Sequence, residues 1–293
     1  MAGRLHSSAS AHLAGPLPLQ ACSARGGAGG RRLGAWESTR EEYPVRIEMV
    51  FQGFPGKLPR GYMGWSSVVY IEVGGTKIVF DTAGPAKRCD LRARLKELGT
   101  SADEIDILVL SHFHDDHVYS LDYFSKARIL LHAKEAAWVL SDPDAFSIPK
   151  YLYPALVSTG RLQLISDDVE IAPGVQTMLV PGHTPGSMAL VLREDNKPTT
   201  VLAGDAVKNL AELASGTVGM SLDNEASARS IAKIRDLAEV VIPGHDRMLR
   251  VEPDRIVAGP AIQETIVLAS GIAERNRPKC FELVVEPSWL PRA

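Results

Sequence analysis

Apolar residues in this chain fall into short runs separated by clusters of Gly, Pro, Asp and Asn, and from residue 45 onward two spacings alternate. Runs rich in β-branched and aromatic residues predict strands at 46–51, 67–73, 77–80, 105–110, 128–131, 161–165, 175–180, 188–192, 200–202, 240–242 and, more weakly, 281–285. Helical spacing predicts helices at 90–98, 133–140, 224–238 and 255–272. This order describes an α/β (α+β) chain with two strand-rich halves, each covered by helices.

Residues 1–44 have a different composition. Up to Trp36 there is no Asp or Glu, Arg recurs, and Ala, Gly and Ser dominate, so the segment cannot bury a core and is expected to be a disordered leader. It reads as a targeting peptide or as translated sequence upstream of a true start at Met49. The apolar stretch 13–19 is broken by Gly15, Pro16 and Pro18, which makes a poor signal core. Residues 45–293 are then the folded domain, long enough for one large layered core.

Charge and cysteine content narrow the function. No apolar run approaches bilayer length, so no membrane partner is expected. The net charge of −3, with basic residues scattered, weakens a nucleic-acid reading and favours a small-molecule substrate. Cys22, Cys89 and Cys280 are odd in number and far apart, which fits a reducing compartment and a cytoplasmic protein, or a mitochondrial or exported one if the leader is a targeting signal. Cys89, just before the predicted helix 90–98, reads as a free thiol at a helix start.

The candidate chemistry is concentrated in Ser111-His112-Phe113-His114-Asp115-Asp116-His117, directly after the apolar run 105–110. Three imidazoles and adjacent carboxylates in one loop are costly to gather unless a cation holds them. His112 and His114 can reach one metal from the same side of an extended segment, while Asp116 and His117 can turn toward a second. More ligands must therefore lie elsewhere. Val180-Pro181-Gly182-His183 and Ile242-Pro243-Gly244-His245 each end an apolar run in a Pro-Gly turn and a His, and between them residues 201–205 end in Asp205.

The motif His-x-His-x-Asp-His at 112–117, followed by Gly-His-Thr-Pro-Gly-Ser, Gly-Asp and Pro-Gly-His in that order, resembles the metallo-β-lactamase fold superfamily of metallohydrolases. An earlier family signal, an apolar strand ending in Asp-x-Gly, is matched by residues 78–84, with Ala83 at the usual Gly. The resemblance runs from about Val45 to Met248 and implies a four-layer αββα sandwich. It also implies that His112, His114 and His183 bind one metal, that Asp116, His117 and His245 bind the other, and that Asp205 bridges them. The implied metals are two zinc ions, with manganese or iron as alternatives, activating a bridging hydroxide. Asp116 would in addition orient the nucleophile and relay a proton, and Asp81 would be a buried carboxylate that orients the ligand loop. His132 matches no family position and reads as an ordinary structural His.

A bridging Asp205 resembles lactonases and hydroxyacylglutathione hydrolases more than true β-lactamases, so the expected reaction is hydrolysis of a lactone, ester or thioester. The alternatives are a metallonuclease or phosphodiesterase, and a mono-iron sulfur dioxygenase using His112, His183 and Asp205. Lactonases of this fold commonly carry Tyr three residues after the bridging Asp. Here that position is Lys208, either a receptor for a substrate carboxylate or phosphate or a solvated lysine at a helix start. Residues 52–65 read as a semi-mobile apolar flap, and residues 142–160 offer Phe146, Tyr151, Tyr153 and Leu156 to a ligand. Plain loop packing or a homodimer contact is the competing use of both segments.

Overall fold

A computed structural model of the chain describes residues 43–141, 147–272 and 274–293. Residues 1–42, with His6, His12 and Cys22, lie outside the described residues, as do residues 142–146, with Phe146. The first half contains β1 (Arg46–Phe51), a short hairpin of β2 (Lys57–Leu58) and β3 (Gly61–Tyr62), then β4 (Val68–Val73), β5 (Thr76–Phe80), β6 (Ile107–Val109), β7 (Arg128–His132) and β8 (Leu162–Ile165). The second half contains β9 (Glu170–Ala172), β10 (Val175–Leu179), β11 (Met188–Leu192), β12 (Thr200–Gly204), β13 (Val240–Pro243), β14 (Leu249–Val251), β15 (Arg255–Ala258), β16 (Ile262–Leu268), β17 (Lys279–Val285) and β18 (Trp289–Pro291). The helices are α1 (Arg88–Glu97), α2 (Asp115–Val118), α3 (Ala133–Leu140), α4 (Leu152–Ser158), α5 (Leu210–Ser215) and α6 (Asn224–Leu237).

Two sheets carry the fold. One has the order β1-β4-β5-β6-β7-β8, the other β18-β15-β14-β13-β12-β11-β10-β9. Strands β5 to β8 run parallel, and β12 and β13 form the parallel pair of the second sheet. The period-two alternation of β4 shows why the sheets stack. Val69, Ile71 and Val73 join Phe80, Ile107 and Val109 in a core that also holds Leu190, Leu202 and Ile242 of the second sheet. Val68 and Tyr70 face the other way, into a core with Leu91 and Leu95 of α1 and Ala136 and Val139 of α3. On the outer side of the second sheet, Val201, Ala203 and Val241 pack with Leu213 of α5 and Ile231 and Ile234 of α6. Each fully buried aliphatic side chain contributes about 1.5–3 kcal/mol. The result is the expected four-layer αββα sandwich. No helix among the described residues is long and apolar enough to cross a membrane.

The helix expected at 255–272 is not formed. Its residues make β15 and β16, separated by Gly259-Pro260. Pro cannot continue a helix, and Ile262-Gln263-Glu264-Thr265-Ile266-Val267 is rich in β-branched residues whose exposure alternates with period two. Strand β16 pairs with β17 from Ile262↔Val285 to Leu268↔Lys279, outside both main sheets. Residue Cys89 lies exposed in the first turn of α1, which starts at Arg88.

Candidate metal centre

The segments that follow β5, β6, β10, β12 and β13 meet at one edge of the sandwich and bring together all seven proposed ligands. The backbone makes unusual turns to do this. After β5, Asp81 and Ala83 both adopt left-handed conformations, with φ of 61° and 55°. The Cβ of Ala83 makes that conformation costly, by about 1–2 kcal/mol, at the position where the resemblance led to the expectation of a Gly.

Two triads form. His112 Nε2 and His183 Nε2 each lie 3.0 Å from His114 Nδ1. In the second triad, His245 Nε2 is 3.2 Å and His117 Nε2 3.8 Å from oxygens of Asp116. Between the triads stands Asp205. Its Oδ1 is 3.2 Å from His117 Nε2 and 3.3 Å from His245 Nε2, while Oδ2 is 3.3 Å from His183 Nε2. The rings of His112 and His117, one from each triad, approach to 4.1 Å between centroids. His112, His117 and Asp205 also bring one ligand atom each within 4.8 Å of one another.

The donor atoms suit divalent cations. His117 Nε2 and Asp205 Oδ1 are buried without a hydrogen-bond partner among the described residues, an arrangement that is expensive unless a cation satisfies them. Imidazole nitrogen and carboxylate oxygen are the donors preferred by zinc, manganese and iron. The described cysteines, Cys89 and Cys280, are exposed on α1 and β17, so thiolate does not enter the set.

His117, His183 and His245 are each oriented from behind. Asp81 accepts from Ser111 N at 2.7 Å and from Ser111 Oγ at 2.8 Å, and its Oδ2 is 2.8 Å from His117 Nδ1. His183 Nδ1 lies 3.1 Å from the Met220 carbonyl, and His245 Nδ1 lies 3.1 Å from the Trp65 carbonyl. An Nδ1–H donated to a carbonyl leaves the Nε2 lone pair directed at the centre. The orienting role expected of Asp81 is thus visible in its contacts.

Electrostatics differ between the triads. Burial pushes His112 well below its ordinary range, His114 down to about 4 and His183 down to about 3, which keeps their lone pairs free at neutral pH. Burial acts in the same direction on His117 and His245, but surrounding carboxylates outweigh it. Asp116, Asp205 and Asp81 raise His117 well above its ordinary value, and Asp205 and Asp116 push His245 up to about 10. Against the opposing effect of burial, His117 and His245 hold Asp116 at about 2, and His245, His117 and His183 hold Asp205 well below the carboxylate range.

The structure places the remaining sequence candidates as follows. His132 is buried, and its Nδ1 accepts from Lys134 N to cap α3. Lys208 is not a solvated lysine, because its Nζ lies 3.1 Å from Glu212 Oε1 with 14% of the side chain exposed. Phe54 and Trp65 of the flap are buried and pack at 4.9 Å, while Leu58 and Tyr62 at its tip are exposed. Lys57 Nζ of that hairpin reaches Met220 Sδ at 3.0 Å. Tyr153 and Leu156 belong to the core, with Tyr153 edge-on to Phe113 at 5.5 Å, and Tyr151 is exposed.

Sequence reasoning missed Glu135, a fully buried carboxylate on α3 that burial pushes up to about 7. Its signal was present, since Glu135 stands one helical turn before the apolar Val139 and beside Ala136. The carbonyls of Trp65 and Met220 gave no signal, because a backbone acceptor has no residue type.

This fold and this convergence of His and Asp belong to one class of protein. The chain is a member of the metallo-beta-lactamase superfamily, whose profile matches residues 63–245. It is 32% identical over 177 residues to the N-acyl homoserine lactonase AiiB of Agrobacterium fabrum, a match that covers 55% of this chain and 64% of that protein, just under two thirds of its length. Metallo-beta-lactamase domain-containing protein 1 of Mus musculus is 30% identical over 209 residues, covering 66% of this chain and 73% of the mouse protein. Among solved structures, an N-acyl homoserine lactone hydrolase with N-hexanoyl-L-homoserine at its catalytic metal centre shares the fold, with a TM-score of 0.56 at 18% identity over 70% of this chain and 93% of that one.

Proposed function

We propose that this chain is a metal-dependent hydrolase that opens a lactone or cleaves an ester or thioester of a small molecule. In this reading, His112, His114 and His183 hold one divalent cation, Asp116, His117 and His245 hold a second, and Asp205 joins them. The observation that carries it is the orientation of Asp205, each of whose oxygens faces a histidine of a different triad. Zinc is the preferred metal. A bound pair supplies an acidified water as nucleophile and an electrophile for the scissile carbonyl.

The chain's own groups account for the other steps. Asp116 has about a third of its side chain open to solvent, more than His117, His183, Asp205 or His245, and would orient the attacking water and pass its proton to the leaving oxygen. Trp138, edge-on to His114 at 5.9 Å, with Met220 and with Leu58 and Tyr62 of the flap tip, offers apolar surface to the acyl portion, beside the cationic Lys57 and Arg60 of the same hairpin. Lys208 is already paired with Glu212, which suits a substrate without a charge of its own. The relatives named as lactonases support the same substrate class. A mono-iron centre of His112, His183 and Asp205 leaves His117 and His245 without a task, although both face Asp205 Oδ1.

Metal analysis combined with a panel of lactones, esters, thioesters and bis(p-nitrophenyl) phosphate tests the reading. The expected result is two zinc equivalents per chain and carbonyl hydrolysis lost in Asp116→Ala. One iron equivalent with oxygen uptake on a persulfide would overturn it, as would full activity in His183→Ala.

A further inference from the structure

One carboxylate ties together the two loops that supply the histidine-only triad. Glu135 projects from α3 into the protein and is fully buried. Its Oε1 accepts from Phe113 N at 2.9 Å, and its Oε2 accepts from Thr184 Oγ1 at 2.7 Å and from Gly186 N at 3.1 Å. Phe113 lies between His112 and His114, and Thr184 follows His183. The first loop leaves β6 in one sheet and the second leaves β10 in the other, so Glu135 spans both halves of the fold.

The contact is built tightly. A Cβ on Gly186 would lie 2.5 Å from Glu135 Cβ and 2.6 Å from Glu135 Cα, so the loop closes against the helix backbone at a position where only Gly fits. The residue type is also specific. Three donors converge from both sides, and an ionised carboxylate accepts at both oxygens, whereas a Gln of the same shape would set its NH2 against a backbone N–H. Isolating a carboxylate in the interior is costly, and no cationic side chain pairs with Glu135 among the described residues, so these three donors are its compensation.

We propose that Glu135 is a positioning residue for the His112–His114–His183 triad, acting through the Phe113 amide and the Thr184–Gly186 turn. This rests on the reading above that the triad holds a cation. The second triad is supported directly by Asp81 through His117, whereas Asp81 reaches the first only through Ser111, whose Oγ lies 2.9 Å from His112 Nδ1, and Glu135 makes no hydrogen bond to Asp116, His117 or His245. The effect of removing Glu135 is therefore selective for one of two cations.

The test uses the full chain and its Glu135→Gln and Thr184→Val variants, loaded with zinc or cobalt(II), with far-ultraviolet circular dichroism as the check on folding. In Glu135→Gln one cation is expected to bind about 10- to 100-fold more weakly while the other keeps its affinity. The cobalt spectrum that remains should match that of His183→Ala and differ from that of His245→Ala. Thr184→Val, which removes one donor, should weaken the same cation by about 3- to 10-fold, and it decides the question if Glu135→Gln does not fold. Two cations bound at wild-type affinity in a folded Glu135→Gln, or unchanged affinity in Thr184→Val, overturns the positioning role alone. Failure of the wild-type chain to bind a cation through His183 overturns the reading of the centre as well.

Discussion

The flap segment packs against the loop that carries His245, and a single methyl group can test what that contact does. Gly53 begins the hairpin segment, and a Cβ placed there would lie 2.6 Å from Gly244 O, 2.7 Å from Ser67 Oγ and 2.8 Å from His245 Cα. Ordinary contact begins at 3.4 Å, so Gly53→Ala must part the two backbones by about 0.6 to 0.8 Å (3.4 − 2.8 and 3.4 − 2.6). Gly53 N donates to Ser67 Oγ at 3.0 Å, and Ser67 is in turn bonded to the carbonyls of Pro243 and Gly244, so the flap cannot drift away alone. The displacement falls on His245. If a misplacement of about 1 Å costs roughly 100-fold, this shift should lower kcat/KM by about 15- to 40-fold and destabilise the fold by about 1–3 kcal/mol. Gly61→Ala is the control, since that glycine belongs to the same hairpin and has nothing within 4 Å of an added Cβ. It should stay within about 0.5 kcal/mol of wild type. Lactone hydrolysis at saturating zinc and thermal unfolding read these two effects, and chelator competition reads zinc retention. If Gly53→Ala matches Gly61→Ala in turnover and zinc retention, the flap does not fix His245.

Two further outcomes follow from the support and charge of the centre. Asp81→Ala leaves the Ser111 amide, the Ser111 hydroxyl and the His117 ring without their acceptor; it should cost about 2–4 kcal/mol in urea unfolding and at least tenfold in zinc affinity, and unchanged values for both would refute the orienting role. Zinc uptake by chelator-stripped protein should release protons from the second triad, because His117 and His245 are held protonated at neutral pH whereas the histidines of the first triad are already neutral, so the affinity of the second triad should rise with pH as they deprotonate. Calorimetry in buffers of differing ionisation enthalpy measures this directly, and uptake of both equivalents without proton release would contradict it.

Much of this was legible in the sequence because the information is local. Period two in residues 67–73 fixes which side chains enter the inter-sheet core, and a Pro-Gly turn after an apolar run marks His183 and His245 as residues at strand ends. The chain was less legible where one spacing mimics another. Residues 255–272 contain enough apolar positions to satisfy a helical template, and Gly259-Pro260 together with the β-branched run decides for strands. Glu135 was missed for a different reason. Its role depends on donors 22 and 49 to 51 residues away, and only tertiary packing brings these together.

The charge balance of the centre also bears on the choice among substrates. With neutral histidines, two divalent cations would bring four positive charges against the three carboxylates Asp116, Asp205 and Asp81, while Lys208 is matched by Glu212. The excess is positive and lies at the reacting atoms. Such a centre stabilises the oxyanion that forms when a neutral lactone or ester carbonyl is attacked, a charge present in the transition state and absent from the ground state. A phosphodiester carries its negative charge before reaction and would already be held in the ground state, so a nuclease on this scaffold would need cationic groups following the substrate away from the metals. Lys208, three residues after Asp205, offers little of this. Lys208 contributes to the low pKa of His183 but has its own carboxylate partner, and the rim exposes Leu58, Tyr62, Met220 and Leu222 beside the cationic Lys57 and Arg60 of the flap hairpin. The chemistry at the metals would serve either substrate, and it is the growth of negative charge only in the transition state that favours the carbonyl compound.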